Sequence, residues 1–367
     1  MRKHWHNAIT HFDDDAGEFI SSYFSEEHRR CLLVAAAGFD PRSGRFAGML
    51  ADVLGDRLTA LFIREDRGQA ADNLVDAANA HEAKLRELVP GATVTHIEIF
   101  AEDGAAIGGS RIATYLAGYE IDPGVTDIVL DMSALSIGVG FPAAKMLLED
   151  CEAARTRAFH IVIMSNPELD DRITSEPAAL AMPVKGFQGL ATGELPEARI
   201  WIPQLARGRT TALSGIGGSV GECYKICPVL PFPARDPRRA DSLLAEYETQ
   251  LVSEWQVDPR DLVYVSERNP LDCFRTLSTL KERYYRTVEG TYEPQVILSP
   301  IGSKVMAAGA LMAAIEYDLT VQYLETVRYE FDGSASSGDG PPDMMVHVLL
   351  SGPAYGDYDA VESIEPQ

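Results

Sequence analysis

Short apolar runs recur along this sequence, most of them followed by a capping residue, a glycine or proline, and then a longer run suited to a helix. The first lies at residues 31–37, CLLVAAA, and others follow at 58–63, 94–100, 126–131 and 160–164. Between them, residues 45–54, 70–88, 107–119 and 143–154 read as helices. Strands alternating with helices at this spacing predict right-handed βαβ units, and hence a mostly parallel sheet with helices on both faces. The alternation then repeats. Apolar runs at 229–232, 262–265, 296–299 and 320–329 are separated by helical stretches ending near 255, 285 and 317, and a last run lies at 344–350. The fold expected is α/β, with two tandem Rossmann-like, doubly wound sheets.

The expected division is a polar lead-in at 1–30 with a short helix around 16–24, a first Rossmann-like domain at 31–207, a glycine-rich linker at 208–228, a second such domain at 229–332, and a strand with an acidic tail at 333–367. Residues 199–204 read as a strand at a sheet edge or one crossing to the next domain, because Pro203 would interrupt a central ladder. Residues 214–222, SGIGGSVGE, read as a mobile loop that closes over a ligand, since no clean strand precedes them as a dinucleotide fingerprint requires. Residues 333–342 read as a flexible break.

A net charge of −23 over 367 residues repels phosphate backbones and anionic lipid alike, so sequence-independent nucleic-acid binding is not expected. No apolar run approaches the roughly 20 residues of a membrane helix, and the first residues lack the apolar core of a secretion signal. Five cysteines, odd in number and widely spread, suit a reducing cytoplasm. Cys223 and Cys227 have no second pair and no nearby histidine, and His4, His6 and His11 before Asp13, Asp14 and Asp15 read as a solvated segment. No metal or redox cofactor is therefore predicted.

The candidate site residues sit at strand ends. In 296–317, Ser299 reads as a cap and Pro300 as the first helical residue, while Gly302, Ser303 and Lys304 form a turn with a cation where a helix dipole disfavours one. An anion bound there would relieve that conflict. Gly38, Asp40, Arg42 and Ser43 form a similar turn, with Asp40 as cap and Arg42 able to fork onto a phosphate or carboxylate. Asp131, Ser133 and Ser136 open a third. In Ser266–Pro270, Asn269 and Pro270 are absorbed by capping, leaving Glu267 and Arg268 free for function. Open parallel sheets bind ligands at their carboxyl edge, where strand order reverses, and these turns should converge there.

Two Rossmann-like blocks with Ser299, Pro300, Gly302 and Lys304 as S-P-x-G-x-K before a small-residue helix, and more loosely residues 38–43, resemble the CARF and SAVED nucleotide-sensing domains of prokaryotic defence systems. The resemblance covers most of residues 30–330 and implies recognition of a cyclic or linear oligonucleotide messenger at a dyad or pseudo-dyad. No nuclease, helix-turn-helix or membrane effector is read in the sequence, so on this resemblance the effector is a separate subunit or absent. The reading favoured is a cytoplasmic sensor or adaptor for a small phosphorylated ligand. The alternative is a hydrolase or transferase acting on a nucleotide or sugar phosphate, with Asp131 or Glu267 as general acid or base and Arg42 and Lys304 as the anion clamp. A protein partner or self-association through the acidic surface fits either.

Overall fold

The computed structural model describes residues 5–189, 193, 195–331 and 343–355. In chain order the first elements are β1 (Thr10–Phe12), α1 (Asp13–Ser25), β2 (Cys31–Ala36), α2 (Arg45–Leu54), β3 (Leu58–Asp66), α3 (Asp72–Leu88), β4 (Thr93–Glu98) and α4 (Gly108–Ala117). Then come β5 (Asp127–Asp131), α5 (Ile137–Ala154), β6 (Ala158–Ser165), the one-turn α6 (Pro167–Asp170), β7 (Ile173–Pro177), β8 (Met182–Pro183), β9 (Glu197–Pro203) and α7 (Thr210–Val220). The remainder is β10 (Lys225–Ile226), β11 (Val229–Pro231), α8 (Arg239–Glu246), β12 (Val263–Val265), α9 (Pro270–Val288), β13 (Glu293–Ser299), α10 (Lys304–Tyr317), β14 (Thr320–Tyr323), β15 (Thr326–Phe331) and β16 (Met344–Ser351).

These build an α/β molecule with two Rossmann-like, mostly parallel sheets. The larger has the order β1-β16-β6-β5-β2-β3-β4, in which β6 through β4 are parallel and β16 and β1 are antiparallel additions. The smaller has the order β10-β9-β13-β14-β8, and the parallel pair β11 and β12 extends it through a bridge between Gln204 and Val229. Each sheet then has the same parallel order, β4-β3-β2-β5-β6 in one and β12-β11-β9-β13-β14 in the other. In both, the order reverses between the first and fourth strands in chain order. Such a reversal leaves a crevice beyond the carboxyl ends of the two strands that flank it.

Burial follows the strand period. Cys31, Leu33 and Ala35 of β2 face a core built with α1 and α2, and Leu32, Val34 and Ala36 face the opposite core with α4 and α5. That second core continues without a break into Ile200 and Leu298 of the smaller sheet and into α9 and α10, so these four helices fill the space between the sheets. In α10 every residue from Val305 to Ala314 is buried, as expected of a helix apolar on all sides. The outer face of the smaller sheet is covered by α7 and α8, against Trp201 and Ile297.

Several expectations are corrected. The lead-in at 1–30 holds the helix expected around 16–24, as α1, but the rest of it is not a solvated segment: β1 pairs with β16, and Trp5 is fully buried, its indole N–H donating to the Leu350 carbonyl at 2.8 Å. The strand expected at an edge or crossing to the next domain, now β9, is an interior strand of the smaller sheet, and its proline is tolerated because Pro203 is its last residue. Since β9 belongs to the smaller sheet while β16 returns to the larger, sheet membership does not divide the chain at 207. The glycine-dense stretch is helical through Val220. Gly217 in it answers to packing, since a Cβ there would lie 3.0 Å from the Trp201 ring. The run at 320–329 splits between β14 of the smaller sheet and β15, which pairs with β7. The break at 333–342 and most of the acidic tail lie outside the described residues.

Candidate functional site

The reversal points of both sheets open onto one cleft of about 210 Å³, lined by the loops that leave β2, β5, β9 and β13. After β2, Asp40 caps a 3₁₀ turn at Pro41–Gly44, its carboxylate accepting the Arg42 N–H at 2.9 Å. The Arg42 guanidinium folds back on Asp40, donating from Nε at 2.9 Å and from Nη2 at 2.6 Å, and Nη2 also meets Asp170 of α6 at 2.9 Å. The residue is only 2% exposed. Burial works against its charge, but the two carboxylates outweigh burial and raise its pKa further. Asp40 is held ionised in turn: Arg42 overcomes the burial that would protonate it. Nη1 of Arg42 is buried without a hydrogen-bond partner. An orphan donor of this kind costs roughly 1–3 kcal/mol or more, so it marks a place where a ligand oxygen would be favoured.

Across the cleft, α10 begins at Lys304 and is capped by Ser303, whose hydroxyl accepts the Val305 N–H at 3.2 Å. Ser299 is not the cap. Pairing of β13 with β9 continues to Ser299 opposite Pro203, which delays the helix, and the Ser299 hydroxyl accepts the Trp201 indole N–H at 2.9 Å. Lys304 Nζ donates to the Leu135 carbonyl at the start of the neighbouring turn. Burial lowers its pKa, Arg42 adds repulsion, and Glu65, Asp40 and Asp170 oppose the shift.

The third turn caps α5. Ser136 occupies the cap position, yet its hydroxyl is buried and unpartnered, while its N–H donates to Glu65 at 2.7 Å. Glu65 also pairs with Arg67 at 2.8 Å, and Arg67 pairs with Glu325 at 3.0 Å and lies 5.0 Å from the Tyr329 ring centre. Burial pushes the Glu325 carboxyl up, against the pull of Arg67. At the opposite rim, Arg239 grips Asp171 with contacts of 2.5 and 2.7 Å, Arg209 donates to the Ile173 carbonyl at 3.1 Å, and the exposed Arg207 lies 3.4 Å from Asp171.

The lining holds six basic side chains, Arg42, Arg67, Arg207, Arg209, Arg239 and Lys304, and five carboxylates, Asp40, Glu65, Asp170, Asp171 and Glu267. The chain as a whole carries 32 Lys and Arg against 55 Asp and Glu, so the cleft reverses the general excess of acid. Phe39, Tyr323 and Tyr329 give one wall an aromatic surface, with the Phe39 and Tyr329 ring centres 5.4 Å apart.

Of the residues expected at a site, Gly38, Asp40, Arg42, Ser133, Ser136, Glu267, Gly302, Ser303 and Lys304 line this cleft. Four do not. Ser43 is buried beneath its turn, with its N–H on the Asp40 carbonyl at 3.0 Å. Asp131 is buried under the loop it was expected to open, accepting the Ser133 N–H at 2.9 Å and the Ser133 hydroxyl as well. Burial pushes its pKa up to about 6 despite those bonds. Ser299 serves Trp201. Arg268 points away, pairing with Asp13 on the far side of the 266–270 loop. Arg67, Arg207, Arg209, Arg239 and Asp170 escape sequence reasoning, because their only common feature is a tertiary meeting place.

No protein-family model and no curated protein sequence matches the chain. Among solved structures, the chain is similar to the human methyltransferase 10 domain containing protein, with 9% identity over 48% of this chain and 73% of that one, at a TM-score of 0.20. It is also similar to the NH3-dependent NAD synthetase of Campylobacter jejuni, with 12% identity over 82% of this chain and 92% of that one, at a TM-score of 0.21.

Proposed function

We propose that the cleft binds a phosphorylated nucleotide, free or as one unit of an oligonucleotide messenger, and that the protein is a sensor or adaptor of the prokaryotic defence type that its CARF/SAVED resemblance implies. The observation that carries this reading is that Arg42, whose Nη1 is buried and unpartnered, and Lys304 line one cleft where two sheet reversal points meet. Ser136 adds an unpartnered hydroxyl at the start of an 18-residue helix, a place suited to a phosphate oxygen. Phe39 and Tyr329 offer a base a stacking surface, and stacking on an aromatic side chain contributes about 1–3 kcal/mol. At about 210 Å³ the cleft is below the roughly 300–1,000 Å³ of sites that enclose a whole small molecule. It would grip one nucleotide unit and leave further units outside.

The enzymatic alternative is less well supported. Asp131 lies outside the cleft, and the Glu267 carboxylate is tied to the Arg235 N–H at 3.0 Å, with no histidine in the lining to share a proton.

The test is thermal shift with a panel of mononucleotides, linear and cyclic oligonucleotides, and inorganic phosphate. A ligand at a hundred times its Kd should stabilise the protein by about 2.7 kcal/mol. Lys304→Met should leave the free protein as stable or slightly more so, since a half-buried cation is replaced by an apolar chain of similar length. It should also weaken the ligand roughly 10- to 100-fold, as expected for one charge-assisted hydrogen bond. Failure of every nucleotide to stabilise the wild type, or equal shifts in Lys304→Met, would refute the proposal.

A further inference from the structure

Away from the cleft, three histidines form a continuous row across the larger sheet. His11 on β1 meets His347 on β16 with Nδ1 to Nδ1 at 3.0 Å, and His347 Nε2 meets His160 Nδ1 on β6 at 2.9 Å. His160 Nε2 then reaches Asp127 on β5 at 3.2 Å. His160, His347 and Asp127 are fully buried, whereas His11 is partly exposed. Helix α1 covers the row: Phe19 stacks on His11 and His347 with ring centres at 4.1 and 4.6 Å, and the Tyr23 hydroxyl donates to Asp127 at 2.8 Å. The other groups facing it are Asp15 beside His11, Arg29 at 3.5 Å and the Thr126 hydroxyl at 2.6 Å from Asp127, and the thiols of Cys31 and Cys151 near that carboxylate.

Proton counting fixes what this row tolerates. Each nitrogen-to-nitrogen contact holds one hydrogen, because a ring nitrogen either donates or accepts. With Asp127 ionised, His160 donates from Nε2, His347 from Nε2 and His11 from Nδ1, and all three rings are neutral. One added proton fits without rearrangement, on His11 Nε2 at the exposed end. While Asp127 stays ionised, a second added proton has no place on the rings, since it forces two hydrogens into one of the 2.9–3.0 Å contacts.

We propose that the His11, His347, His160 row is an acid-sensitive latch that fastens the terminal strands β1 and β16 to the sheet when neutral and releases them on taking up a second proton. Burial depresses the pKa of both His11 and His347, further lowered by the neighbouring rings, while Asp15 opposes the shift at His11. A histidine whose folded pKa lies below its unfolded value of about 6.5 contributes stability that is complete above that pH and declines as pH falls through it. Release is therefore expected below about pH 6.5, with the opening equilibrium rising up to tenfold per pH unit for each proton taken up.

Hydrogen exchange of the full chain, corrected for intrinsic rates, tests this between pH 7.5 and 5. Wild-type amides of β1 and β16 should lose at least tenfold protection while those of β2 and β3 keep theirs. In His347→Gln, whose amide can donate and accept without taking up a proton, that selective loss should shrink at least fivefold. In His11→Phe, which keeps the stack on Phe19, it should become shallower by about one proton. Nitrogen NMR of the imidazoles at pH 7.5 should show hydrogens on Nε2 of His160 and His347 and on Nδ1 of His11. Uniform exchange across the sheet, an unchanged pH dependence in both variants, or a charged His347 at neutral pH would overturn the latch.

Discussion

Asp131 shows how burial and hydrogen bonding compete at a single side chain. It ends β5 with 2% exposure, and its pKa of about 6 stands above the ordinary 3.8 because burial outweighs the two bonds from Ser133 and the field of Arg42. A carboxyl whose folded pKa is raised is stabilising while protonated, below about pH 4, and that contribution is lost as pH climbs from about 4 to 6. At pH 7 the ionised form costs up to about 3 kcal/mol at 1.36 kcal/mol per unit. Asp131→Asn keeps an acceptor for Ser133 and removes the charge. It should raise stability in urea unfolding by about 1–3 kcal/mol at pH 7 and by much less at pH 4. A variant less stable than wild type at pH 7 would mean that Arg42, not burial, governs this site. The sequence shows Asp131 as an acid at a strand end, but whether such a residue faces the cleft or the protein beneath it depends on one turn of backbone. Arg42 and Lys304 are legible because a cation at a helix start conflicts with local chemistry. Arg67, Arg207, Arg209 and Arg239 break no local rule and so leave no trace.

At the scale of elements, strands and helices are legible where period and burial agree, as in β2, β3, β5 and α2. They are misread where a local rule has two causes. Gly217 in α7 reads as loop chemistry, yet it packs against Trp201; Ser299 reads as a cap, yet it lies within a strand. Helix α10 poses the same question at Gly309. Alanine is favoured over glycine inside a helix by about 1 kcal/mol. A Cβ at Gly309, however, would lie 2.4 Å from the Pro270 carbonyl oxygen, 2.6 Å from Cys273 Cβ and 3.0 Å from the Phe274 nitrogen. Two of those atoms are backbone and cannot rotate away, so α10 would have to lift from α9. Overpacking of this kind costs about 1–3 kcal/mol. Gly309→Ala should therefore be net destabilising by up to about 2 kcal/mol in urea unfolding. Gly48 in α2 has nothing within 4 Å of such a Cβ, and Gly48→Ala should stabilise by up to about 1 kcal/mol. If the two substitutions shift stability in the same direction, close contact between α9 and α10 is not what holds position 309 to glycine.

For the whole molecule, a cleft with a slight excess of cations lies within a net charge of −23. An anionic nucleotide approaching from solution meets the long-range field of the acidic surface before it meets Arg42 or Lys304. The two fields differ in how salt acts on them. Screening removes interactions beyond the Debye length, about 10 Å at 0.1 M and 3 Å at 1 M, but it leaves partly buried contacts less affected. Added salt should then weaken the repulsion more than the grip. For an ordinary basic site, the association rate of an anionic ligand falls steeply as ionic strength rises. Here stopped-flow binding of a fluorescent nucleotide should show an association rate that holds level or rises between 0.05 and 0.5 M salt, while dissociation changes little. A rate that falls steeply over that range would show that the ligand is steered by local cations alone. The acidic surface would then have no part in how the cleft is reached.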